Sequence, residues 1–129
     1  MPPPYHGHFS TKGLPCIDIE VAGKNGSAKV SALIDTGYTG SLSLTNDIAI
    51  KVGLPRLGVQ RATLVNGLPV SYLECSGTII LGDIRISTVI DVELKGRILL
   101  GNSFLKQANL CFRCDPTHNL VELNYLAKS

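Results

Sequence analysis

The feature that most constrains this chain is its punctuation. Apolar and polar residues alternate in short runs, and each run soon meets a glycine, a proline or an Asn-Gly step. Cys16-Ile-Asp-Ile-Glu-Val21 has the period of two that puts one face of a strand on a core. After the turn Gly23-Lys-Asn-Gly26, a second strand is expected over Lys29-Val-Ser-Ala-Leu-Ile34. Ser41-Leu-Ser-Leu44 alternates again. Arg61 to Val65 and Leu68 to Leu73 flank Asn66-Gly67, the strongest hairpin signal in the sequence. Gly77 to Leu81 and Ile84 to Ile86 flank Gly82-Asp83. Further strands are expected over Thr88 to Leu94, Arg97 to Leu100, Leu110 to Arg113 and Leu120 to Leu123.

Only two stretches read as helix, and both are short. Thr45 or Asn46 caps one that runs to Val52, where Gly53 stops it and Pro55 bars continuation. The other spans Asn102 to Ala108. Roughly eight to ten short strands with regular turns predict an all-β sandwich or barrel. Composition agrees: 44% of the 129 residues are hydrophobic, but tryptophan is absent and aromatics are 5%, so Ile, Val and Leu must build the core.

Several function classes are excluded as expectations. A net charge of +2 without a Lys/Arg run gives no nucleic-acid footprint. No apolar stretch approaches the about 20 residues of a membrane helix. The start, Met1-Pro-Pro-Pro-Tyr5-His-Gly-His8, lacks the basic and apolar regions of a signal peptide, so a cytoplasmic location is expected. Its prolines suggest a flexible arm over residues 1–13, ahead of one domain over 14–125 and a tail at 126–129. Cys16, Cys75, Cys111 and Cys114 are expected as free thiols. The Cys111/Cys114 pair reads as half a metal or redox site, or as two strand positions on opposite faces. No second pair completes a zinc site. The His6/His8 pair reads as two metal ligands on one strand face or as part of a mobile arm. No metal and no cofactor are expected.

The chemistry concentrates at Asp35-Thr36-Gly37. A carboxylate delivered by the apolar strand Ala32-Leu-Ile34 into a glycine turn is rigid and partly desolvated. The alternative is an Asx-type turn in which Asp35 caps its own loop. Downstream, Ile98-Leu-Leu-Gly101 ends in glycine and leads into the second short helix. Together, Leu33-Ile34-Asp35-Thr36-Gly37-Tyr38-Thr39-Gly40 and Leu99-Leu100-Gly101-Asn102 resemble the signatures of the retropepsins, the retroviral-type aspartic proteases, and especially their small bacterial members. The resemblance runs from about Leu14 to Leu123.

It implies a closed β-barrel or sandwich with one or two short helices and a flap hairpin. It also implies an aspartic endopeptidase with Asp35 as the catalytic residue and Thr36, Gly37 and Tyr38 in the active-site loop. Val65, Asn66, Gly67 and Leu68 would form the flap, and Leu99, Leu100 and Gly101 the supporting strand. One Asp-Thr-Gly per chain implies a homodimer, with an extended peptide or protein as substrate and neither nucleic acid nor membrane as partner. Tyr38 departs from the small residue usual at its position. It either packs within the loop or narrows a substrate pocket. Two other readings stay open. One is a non-catalytic dimerisation or peptide-binding module of the same fold. The other is an unrelated ligand-binding barrel with an incidental Asp-Thr-Gly.

Overall fold

The computed structural model describes residues 2–63, 65–94 and 96–125. The tail expected at 126–129, and position 64 of the expected hairpin strand, lie outside them.

Strand β1 is Tyr5–His6, β2 is His8–Phe9, β3 is Pro15–Gly23 and β4 is Gly26–Asp35. Strand β5 (Leu42–Thr45) leads into helix α1 (Asn46–Val52). Then come β6 (Arg56–Thr63), β7 (Pro69–Leu81), β8 (Ile84–Glu93) and β9 (Leu99–Gly101). Helix α2 (Asn102–Ala108) precedes β10 (Leu110–Asp115) and β11 (Leu120–Tyr125).

The main sheet runs β2-β3-β4-β9-β5-β8-β7-β6, and a further pairing of β3 with β7 closes six of these strands into a barrel. A second, three-stranded sheet has the order β1-β11-β10. The alternation in β3 and β4 does what period two requires. Ile17, Ile19 and Val21 go inward with Val30, Ala32 and Ile34, while Asp18 faces solvent. Leu42, Leu44, Ile79, Ile90, Leu100 and Phe104 complete a core that excludes water from both short helices' inner faces.

Helix α1 ends as its sequence dictates. Gly53 adopts φ 73° and donates its N–H to the carbonyls of Ala49 and Ile50. Helix α2 ends on Asn109 in the same left-handed region.

Three expectations need correction. First, the arm is not loose. Tyr5 is buried, β1 pairs with β11, and β2 pairs with β3. The prolines end at Pro4, and Gly7 lets the chain pass between the two sheets. A Cβ there would collide with the Cys16 carbonyl and approach Val121 Cγ1 to 2.7 Å. His6 and His8 consequently sit on strands of different sheets.

Second, β7 is one strand of 13 residues, not two. Gly77 is no turn residue: a Cβ would meet Ile90 Cδ1 at 2.7 Å and Leu54 Cδ2 at 2.8 Å, so it serves a close approach between layers. Likewise Ile84–Ile86 and Thr88–Leu94 merge into β8.

Third, the outer strand of the Asn66–Gly67 hairpin begins at Arg56, well before Arg61. All eight residues of β6 are exposed. With no buried face, the strand carries no alternation from which to read its start. No helix among the described residues is long and apolar enough to cross a membrane.

Candidate active site

Asp35 is the last residue of β4, and β9 runs parallel beside it with Leu33, Ile34 and Asp35 opposite Leu99, Leu100 and Gly101. Leu100 is fully buried beneath the loop. Past Asp35 the chain turns at once. The Tyr38 N–H donates to the Asp35 carbonyl (3.1 Å), and the Gly37 N–H donates to the carboxylate Oδ1 (2.9 Å). Asp35 therefore does cap its own loop. Its second oxygen has no hydrogen-bond partner among the described residues. The side chain is half-buried and opens on a cavity of about 490 Å³ shared with Leu33, Tyr38, Ser43, Glu93, Arg97 and Leu99.

The loop is clamped to the start of α2. The N–H groups of Asn102 and Ser103 donate to the carbonyls of Tyr38 (2.8 Å) and Gly40 (3.2 Å), and Gly101 N–H donates to Ser41 (2.9 Å). Gly101 has no room for a side chain. A Cβ would strike the Gly40 carbonyl and lie 2.6 Å from Tyr38 Cδ2 and 2.8 Å from the Tyr38 carbonyl. The "supporting strand" residues Leu99, Leu100 and Gly101 thus lie directly against the Asp35 loop.

Tyr38 combines packing with a polar role. Its ring covers Gly40, and its hydroxyl donates to Asp91 Oδ2 in a short hydrogen bond. Burial pushes the phenol well above its ordinary range, and the Asp91 carboxylate pushes it further. Burial also raises the Asp91 carboxyl, with the Glu74 charge adding to the effect and the Tyr38 hydroxyl partly offsetting it. At neutral pH, Tyr38 is therefore the donor.

Thr36 and Gly37 are exposed, and the Thr36 side chain has no hydrogen bond within the described chain. Val65, Asn66, Gly67 and Leu68 form the exposed tip of the β6–β7 hairpin. Asn66 Oδ1 accepts from the Leu68 N–H (3.1 Å), and Gly67 takes φ 84°. These tip residues do not line the Asp35 cavity. The inner strand of the hairpin does adjoin the site: Tyr72 and Glu74 wall a second cavity with Tyr38, Ser43, Asp91 and Glu93.

Sequence reasoning passed over Ser43, Tyr72, Glu74, Asp91 and Glu93. A signal was present. Asp91 and Glu93 alternate with the buried Ile90 and Val92, and Ser43 alternates with Leu42 and Leu44. Such a pattern ordinarily marks a solvent face; here strand order sets Ser43 between Asp91 and Leu99, Glu74 opposite Asp91, and Leu99 opposite Leu33 on the strand that ends at Asp35. Cys111 and Cys114 are exposed on β10, Cys16 and Cys75 are buried, and all four are free thiols.

At the level of sequence, neither a protein-family profile nor a curated protein matches the chain. Solved structures do. A retropepsin-like aspartic protease from Rickettsia conorii superposes with a TM-score of 0.67 at 22% identity, covering 95% of this chain and 91% of that one. The EIAV protease, in complex with the inhibitor HBY-793, gives 0.61 at 19% identity over 77% of this chain and 91% of its own. The simian foamy virus (mac) protease gives 0.52 at 15% identity, covering 70% and 91%. Mostly β, with a closed six-stranded barrel and two short helices, the chain has the retropepsin-like fold.

Proposed function

We propose that the protein is an aspartic endopeptidase that acts as a homodimer, each protomer supplying its Asp35 to one two-carboxylate site. The observation that carries this reading is the setting of Asp35. It is a half-buried carboxylate on an over-determined loop, with one oxygen held by Gly37 and the other open to a cavity. No second Asp-Thr-Gly occurs in the sequence, so the other carboxylate must come from a second copy. The three structures of like fold are all named as proteases, which favours the same activity here.

The chemistry follows from two carboxylates a hydrogen bond apart. Both cannot ionise cheaply, so the pair holds one proton and titrates as a unit. The ionised member takes a proton from a bound water, which attacks the scissile carbonyl carbon. The protonated member donates to the carbonyl oxygen. Collapse of the tetrahedral intermediate breaks the C–N bond as the amine gains a proton. In this reading Thr36, exposed and without a side-chain hydrogen bond among the described residues, braces the partner's loop. Gly37 keeps side-chain bulk away from the carboxylates. Asn66, Gly67 and the flanking Val65 and Leu68 act as a flap that closes over a peptide bound as an added strand.

The competing reading is a non-catalytic module of the same fold, in which Asp35 only caps its loop. Incubation of the protein and of Asp35→Asn with a denatured protein mixture, at acidic to neutral pH, separates the two. Hydrolysis is expected to fall by at least about a thousandfold in the variant. In the parent, specific activity is expected to drop on dilution as dimers dissociate. Equal cleavage by both chains, or none by either, overturns the proposal.

A further inference from the structure

The second cavity beside Asp35 has walls of one charge. It encloses about 350 Å³. Glu74 of β7 and Asp91 of β8 are register partners across the strand pair, and Glu93 follows two residues later on the same face. Like charges directly opposite on paired strands destabilise a sheet. Their partners within the chain are neutral. Glu74 Oε1 accepts from Gln60 Nε2 at 2.8 Å, and Asp91 accepts from the Tyr38 hydroxyl. Among the described residues, no Lys or Arg lies within ion-pair distance of any of the three. Arg97 faces the neighbouring Asp35 cavity together with Glu93, which leaves Glu74 and Asp91 as the uncompensated pair.

A second observation points into the same space. Ser43 is only 5% exposed, and its hydroxyl has no hydrogen bond among the described residues. Its neighbour Ser41, equally buried, bonds to Thr88 Oγ1 and Gln107 Oε1. Ser43 lines both cavities, so its unpartnered hydroxyl stands at the passage from Asp35 to the carboxylates. No fully buried side-chain polar atom among the described residues lacks a partner, so the unpartnered Ser43 oxygen is not sealed in protein but open to the cavity, where a polar group that enters can meet it.

We propose that this cavity is the subsite for a cationic side chain, lysine or arginine, of an extended peptide lying against Asp35. The proposal rests on the proteolytic reading above and adds its substrate class. The aliphatic stem packs between the Tyr38 and Tyr72 rings, and the head group reaches the Glu74 and Asp91 carboxylates. The Ser43 hydroxyl meets a polar group of the peptide at the entrance. Tyr38 is a positioning residue: its hydroxyl fixes the Asp91 carboxylate towards the cavity. A neutral side chain of the same length would leave the carboxylates desolvated and unpaired, so discrimination acts against the wrong peptide as much as for the right one.

The test uses octapeptides in which arginine, or its neutral isostere citrulline, is moved through every position. Binding is read by fluorescence anisotropy on Asp35→Asn, which holds peptides without cutting them. At one position arginine is expected to bind at least about tenfold tighter than citrulline, and the ratio is expected to collapse towards one in Glu74→Gln and Asp91→Asn. Added salt is expected to shrink the same ratio with the cavity unaltered, so the outcome does not depend on the variants folding. No position favouring arginine, or a preference indifferent to both substitutions and to salt, overturns the subsite. Cleavage of the same peptides by the parent chain keeps the two readings apart. Cutting without a preference for arginine removes the subsite and leaves the protease. A charge preference in binding without any cutting does the reverse.

Discussion

The Asp35 loop and the Asn66–Gly67 hairpin are both turns of small and polar residues in which a side-chain oxygen accepts from the backbone two residues on, and they differ in what else holds them. Around Asp35, further restraint comes from outside the loop: from β9 running parallel, from the N–H groups that open α2, and from a Gly101 with no free space around it. The hairpin tip is fixed from within. Asn66 bonds its own backbone two residues on, Gly67 supplies the positive φ, and a Cβ added at Gly67 would meet no atom within 4 Å beyond its chain neighbours. A site that must present a carboxylate at one geometry needs the first kind of restraint. A lid that must open needs the second, because local restraints survive its motion while long-range ones would have to break.

Alanine at the two glycines tests the contrast most severely. Gly101→Ala forces a methyl into the Gly40 carbonyl and the Tyr38 ring, and is expected to lower unfolding stability by upwards of about 3 kcal/mol, with activity lost as well. Gly67→Ala meets no atom and is opposed only by its φ of 84°, for about 1 kcal/mol. Denaturant unfolding at one fixed protein concentration measures both. Comparable losses would break the contrast.

Leucines sharpen it next. Leu100→Ala empties a fully buried position under the loop and is expected to remove about 3 kcal/mol. Leu68→Ala, on a side chain 59% exposed at the hairpin, is expected to stay within about 0.5 kcal/mol while still weakening peptide binding if the tip closes on substrate. Unfolding midpoints, set beside anisotropy titrations with a peptide, separate the two effects.

The smallest effect is electrostatic and belongs to the wall between the two regions. Burial and Glu74 raise the Asp91 carboxyl above 3.8, so the folded state disfavours its ionisation. The unfolded chain then ionises first as pH rises, and the native state loses stability between the ordinary carboxylate value and the raised one. Asp91→Asn has no such group. Its stability relative to the parent is expected to improve as pH climbs through that window and to level off above it. Unfolding curves at stepped pH check the sign. A relative stability that falls with pH would mean that the Tyr38 hydrogen bond outweighs burial at Asp91.

Much of the local structure was legible along the chain. Helix α2 was expected over Asn102 to Ala108 and spans those residues, and Gly53 ends α1 in the left-handed region its position called for. Both follow from neighbours in sequence. The Asn66–Gly67 and Gly82–Asp83 turns were placed for the same reason. Illegible were the features set by distant partners. The N-terminal residues gave a proline-rich pattern, yet β11 offered Tyr5 an edge to pair with and a core to enter. Gly77 had the look of a break, yet it is a point of contact with Ile90 and Leu54.

At the site, the division between sequence and tertiary structure is the same. Asp35-Thr36-Gly37 at the end of an apolar strand was written in adjacent residues, since a strand's end and a glycine turn are local matters. That Glu74, Asp91, Glu93 and Ser43 share a cavity with Tyr38 was not. They come from three strands whose alternation promised a face to solvent, and only the order in which β4, β9, β5, β8 and β7 pair set that face beside the strand that delivers Asp35. Period-two patterning fixes which side a residue takes on its own strand; what stands beside it on that side is decided by which strands pair and in which register.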